Sequence, residues 1–232
     1  MSPTFWTVGP PPFIGPDAEG PPRPLPAEEE TKWLRRPRDV LILLAQSDAV
    51  TADMHNLMVR FVIAFVRALE LREPNARIQL VDYGSSAGNR GCMMPVSAAA
   101  EIERGLANQS SDGPVYLPSP LAMAAWLREN LLAPYQIVLL ANDIGEHPRR
   151  TINAAAQLKR EAVFDCVGIG TSASIDPQGV LAGVASTNAD GSRRVLWSTV
   201  HNELLQHAQA LAEPIDLRRR ASGIFQPYPR SG

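Results

Sequence analysis

Three short, largely apolar runs stand between stretches of helical spacing: DVLILLA (39–45), QIVLLAND (136–143) and VFDCVGIG (163–170). A strand that is apolar at both odd and even positions must be covered on both faces. Parallel sheets flanked by helices are where such strands occur. Between the runs, DMHNLMVRFVIAFVRALEL (53–71) places apolar residues at 54, 57, 58, 61, 62, 65 and 69, with Asp53 as the expected N-cap. Its FVIAFV stretch is apolar almost all round, which predicts a helix covered on more than one side. ARIQLVDY (76–83) and RRVLWS (193–198) read as further strands, and CMMPV (92–96) as a short edge strand because it ends at a proline. Helices are predicted over 97–109 opened by Ser97, 119–132 capped by Ser119 with Pro120 at its first position, 149–162, 177–187 and about 200–212. The alternation defines the α/β class: three layers, a mostly parallel central sheet with helices on both faces, and one short antiparallel edge strand.

Ten of the 21 prolines fall within residues 1–37, so that segment is expected to be extended rather than helical or sheet-forming. The expected domain is therefore 38–213, followed by a basic, proline-containing tail over 214–232 that carries Arg218–Arg220, Phe225 and Tyr228. A net charge of −2 gives no electrostatic footprint for nucleic acid. No apolar run approaches the roughly 20 residues of a membrane span, and the first residues lack the pattern of a signal peptide. Cys92 and Cys166 form no metal-binding or disulfide spacing. A cytoplasmic setting is expected.

The pentapeptide GSSAG (84–88) has the spacing of a hydrolase nucleophile elbow. A serine hydrolase would use Ser86, Asp143 and His201 or His207, in the chain order of α/β-hydrolases. The elbow must run directly into a helix, yet NRGCMMPV follows, and residues 38–80 contain no glycine for an upstream oxyanion loop. The competing reading makes GSSAGNRG a hairpin reversal, in which Ser86 is a turn residue. Cys166 reads as a small apolar residue in a strand, GIGTSAS (168–174) as a strand end, His55 and His207 as helix-surface or packing residues, and Trp126 and Trp197 as core.

In order along the chain, DVLILLAQSDA, RIQLVDYGSSA, CMMPV, PSPLAMAAWL, QIVLLANDIGE and FDCVGIG resemble segments of the von Willebrand factor A (vWA) domain, over roughly 38–213. The resemblance implies a Rossmann-like sheet with a metal-ion-dependent adhesion site holding Mg²⁺ at the carboxyl ends of the strands. Laid on that family's DxSxS pattern, AQSDA keeps Ser47 but puts Ala45 and Ala49 at the other two positions. Ser119 replaces the usual threonine and Asp143 matches the later aspartate, with Asp48 a possible substitute. A site of two hydroxyls and one carboxylate implies weak or no Mg²⁺, because a hard cation gives up its waters reluctantly. The resemblance further implies a non-enzymatic module for protein–protein interaction, an adaptor or scaffold subunit. Its expected partner is a protein such as an AAA+ ATPase or a multi-component bacterial complex, with neither nucleic acid nor membrane.

Overall fold

A computed structural model describes residues 37–106, 113–131, 135–171, 176, 178–188, 190–213 and 215. The expected N-terminal segment and C-terminal tail, apart from Pro37 and Ile215, lie outside the described residues. So do the ends of two predicted helices, at 107–109 and 132, and Ser172–Ser174 of GIGTSAS.

The strands are β1 (Asp39–Ala45), β2 (Arg77–Tyr83), β3 (Ala87–Asn89), β4 (Met94–Pro95), β5 (Tyr135–Ala141), β6 (Ala162–Ile169) and β7 (Val195–Ser198). The helices are α1 (Ala52–Arg72), α2 (Ala99–Leu106), α3 (Pro118–Leu127), α4 (Pro148–Leu158), α5 (Val180–Val184) and α6 (His201–Leu211). One sheet runs β3-β2-β1-β5-β6-β7, with β4 also beside β2. β2, β1, β5, β6 and β7 are mutually parallel, whereas β3 and β4 pair antiparallel to β2. α1, α2 and α6 pack together on one side, and α3, α4 and α5 on the other.

The apolar runs behave as their composition requires. Every residue of β1, β5 and β6 is buried. In α1, Phe61, Val62, Phe65 and Val66 are buried, with α2 and α6 alongside. The N-cap of α1 is Thr51, whose Oγ1 accepts from the Met54 amide at 3.3 Å, not Asp53. α3 starts at Pro118, earlier than expected, so Ser119 caps nothing. Pro118 occupies the first turn, where a missing N–H removes no helical bond. The antiparallel edge is divided between two short strands, and β3 lies inside the stretch read as pure turn.

The floor of the sheet, at the amino ends of the strands, is held by a buried polar network. Arg38 is 5 % exposed and donates to the Ala212 and Glu213 carbonyls at 2.9 and 3.1 Å and to Gln136 Oε1 at 3.3 Å. It also pairs with Glu73 at 3.0 Å. Gln136 passes the network on to Asp165 Oδ2 at 2.8 Å, and Arg194 closes on the other oxygen of Asp165. A guanidinium at the carboxyl end of α6 satisfies carbonyls that no helical N–H can reach and complements the helix dipole.

Candidate functional site at the carboxyl ends of β1 and β5

The chain leaves β1 for β2 on one side and later returns to β5 on the other. Crevices in open α/β sheets form where the strand order reverses in this way. Ser47 follows β1, and Asn142 and Asp143 follow β5, so the topology brings these residues to adjacent strand ends. The surrounding loops are tied by backbone bonds: Gln46 N–H to Tyr83 O at 2.7 Å, Asp48 N–H to Gly113 O at 3.0 Å and Tyr116 N–H to Gly84 O at 2.8 Å. Gly145 has φ +64°, and a Cβ there would collide with the Val115 carbonyl, so only glycine fits the approach. The Tyr116 ring stands edge-on to His147, centroids 5.4 Å apart.

Ser47 is 1 % exposed, and its Oγ has no partner among the described residues; the buried Asn142 Oδ1 is likewise unpaired. Asp143 commits Oδ1 to its own loop, accepting from the Ile144 and Gly145 amides at 2.6 and 3.1 Å. Asp48 is exposed in the same loop as Ser47. Ser119 instead lines a shallow depression with Ala87, Ala122, Met123 and Trp126, between α3 and the edge of the sheet.

Ala45 holds the position of the family's first aspartate. It is fully buried and registers with Tyr83 on β2. Neighbouring residues in register project to the same face. Tyr83, 1 % exposed, crosses that face and donates its hydroxyl to Leu140 O on β5 at 2.8 Å, two strands away. The small Ala45 makes room for the ring. Burial drives the Tyr83 phenol well above its ordinary pKa, with Cys166 and Asp143 adding to the rise, so it remains a neutral donor. The space over position 45 thus holds a phenol. Position 45 offers no carboxylate, and one oxygen of Asp143 is engaged by its own loop, so the oxygens left on these residues for a hard cation are the second Asp143 oxygen and the hydroxyls of Ser47 and Ser119. Among the described residues, no group of three or more His, Cys, Asp or Glu is arranged to hold a metal.

The hydrolase residues are not brought together. Ser86 is exposed on the turn between β2 and β3, where its carbonyl accepts from the Gly84 amide at 2.9 Å, and an antiparallel strand follows instead of a helix. His201 opens α6 just after β7, a strand that lies four spacings, about 19 Å, from β2 in the sheet. His207 lies within α6, its ring 6.4 Å from that of Phe61.

Three features were missed by reading the sequence. Tyr83 is one. His55 is another: it is buried, its Nε2 lies 3.2 Å from Leu106 O and its Nδ1 3.4 Å from Gln46 Nε2. A carbonyl only accepts, so Nε2 carries the hydrogen and Nδ1 accepts from Gln46. Burial lowers the His55 pKa against the opposing pull of the Leu106 carbonyl, which keeps the ring neutral. The third is Trp126, expected in the core but 66 % exposed; Trp197 does pack against the core, over Gly168. No described helix is long and apolar enough to cross a membrane.

No protein-family model and no curated protein matches the chain. Solved structures do. A von Willebrand factor type A protein from Catenulispora acidiphila aligns with a TM-score of 0.61 at 13 % identity, covering 76 % of this chain and 42 % of that one. The pilus adhesin SpaC from Lactobacillus rhamnosus GG gives 0.64 at 9 %, covering 77 % and 30 %. Proximal thread matrix protein 1 from the mussel byssus, in a form with a zinc-occupied adhesion site, gives 0.58 at 16 %, covering 76 % and 46 %. The chain thus spans less than half of each of these proteins. At such identities the likeness speaks for the fold: this chain has a vWA-like fold.

Proposed function

We propose that this protein is a non-enzymatic protein–protein interaction module whose contact face runs from the strand-end loops across the depression beside α3. The observation that carries this reading is Trp126, a large side chain left 66 % exposed beside Ala122, Met123, Ala87 and Ser119. Tryptophan on a rigid helix is the residue type most enriched among interface anchors. The adhesin and matrix-protein neighbours support a binding role. The finer reading is a cytoplasmic adaptor or scaffold subunit with weak or no Mg²⁺, and an AAA+ ATPase or a multi-component bacterial complex as its partner.

The test is a tagged capture from the source cell's lysate, read by mass spectrometry, with wild type and Trp126→Ala in parallel, each with Mg²⁺ and with EDTA. The expected result is a protein retained by wild type in both buffers and lost from Trp126→Ala. Equal retention by the variant would remove the depression from the reading, and loss in EDTA alone would restore the metal.

A further inference from the structure

On the opposite flank, away from the strand-end loops, α1 and α6 leave an open groove of about 620 Å³ between them. Its apolar floor is formed by Ile63, Ala64 and Leu71 of α1 with Leu205 of α6. Leu71 is 86 % exposed, the most exposed large apolar residue among those described. Along the α1 side stand Arg60, Arg67 and Arg72, and no carboxylate lines the groove. Arg67 and Arg72 pair with Glu103 and Glu213, but each pair includes a side chain more than half exposed, and such pairs exchange readily for other acids. Arg60 is exposed and makes no ion pair among the described residues.

From this surface we propose a second docking site, distinct from the face around Trp126, that takes an acidic amphipathic helix of a partner protein. The apolar floor calls for side chains at i, i+3, i+4 and i+7 on one helical face. The arginine row calls for Glu or Asp beside them. Arg60 to Arg72 spans about 18 Å at the rise of an α-helix, room for a bound helix of about 12 residues. Charge disfavours two other occupants. The chain's own tail carries Arg218, Arg219, Arg220 and Arg230, and a second copy docking face to face would set arginine against arginine.

The test uses the full-length ¹⁵N-labelled protein and two synthetic helical peptides with the same leucine face, one flanked by Glu and the other by Lys. The Glu peptide is expected to bind about tenfold more tightly than the Lys peptide, with amide shifts concentrated at Ile63, Ala64, Leu71 and Leu205. Arg60→Glu, at an exposed position, should narrow or invert that preference. Equal affinities, or shifts mapping elsewhere, would overturn the site. So would tighter binding to vesicles containing phosphatidylserine than to the Glu peptide. Shifts in the groove caused by Phe225→Ala and Tyr228→Ala without peptide would assign it to the tail and overturn it as well. None of these readouts depends on Trp126, so failure here leaves the first surface standing.

Discussion

The Tyr83 hydroxyl reaches over Ala45 to the carbonyl of Leu140, binding β2 to β5 across the strand between them. Deleting that hydroxyl in Tyr83→Phe keeps the ring and removes one buried hydrogen bond. The expected loss is about 1 kcal/mol in urea unfolding. Ala45→Asp, which sets a carboxylate against the same ring, should cost more than Tyr83→Phe. If it is harmless, the ring does not fill that space.

Mg²⁺ should scarcely affect stability. A ligand stabilises by RT ln(1 + [L]/Kd), so with Kd above about 10 mM, adding about 10 mM Mg²⁺ raises Tm by less than about 2 °C. Ser47→Ala and Asp143→Ala should leave that response unchanged. A larger shift in wild type that vanishes in both variants would show a working metal site.

Arg38 is the hub of the floor network, so Arg38→Met strands the carbonyls of Ala212 and Glu213 and the side chains of Glu73 and Gln136. Removing one partner of a buried charged pair costs about 3 kcal/mol or more. Hydrogen exchange should quicken first at the carboxyl end of α6. A variant of wild-type stability with α6 fully protected would contradict this account.

Acid should weaken the fold in a defined window. The folded His55 has a lowered pKa, and so has His207, in both cases chiefly through burial. In the unfolded chain an imidazole titrates near about 6.5. Between that value and the lower folded ones, the unfolded chain binds more protons, so stability is complete above about 6.5 and declines as pH falls. His55→Gln cannot take up that proton, and its ΔG should fall less steeply than wild type from about pH 7 to 5. An unchanged slope would exclude His55.

Trp197 packs against Gly168, where a Cβ would run into its six-membered ring. Gly168→Ala should therefore destabilise by about 1–3 kcal/mol, and Trp197→Leu in the same chain should recover part of the loss. Additive losses would show that the two residues do not share one space.

The central strands were legible because β1, β5 and β6 are apolar on both faces, and few structures bury both faces of a strand. Helix starts were harder. Thr51 and Asp53 are both good caps, and only backbone geometry chooses between them. β3 was invisible, since Ala-Gly-Asn has little strand propensity and is held by its register on β2. Trp126 was misplaced because PSPLAMAAWL is apolar nearly all round, so its period cannot say which side faces water. Ser47 and Asp143 could be placed at strand ends from the order of elements. Tyr83 could not, because its role depends on the spatial order β2-β1-β5 and on the residue beside it in register.

The grip of Arg38 on residues 212 and 213 also means that the start of β1 and the end of α6 are held side by side. Domains with adjoining ends tolerate being rewired. A short linker could join the start of β1 to the end of α6, and new termini could be opened at the exposed turn around Gly91, giving a circular permutant with the same sheet. For the same reason the domain could be carried as an insert in the loop of another protein, entering and leaving at the same place.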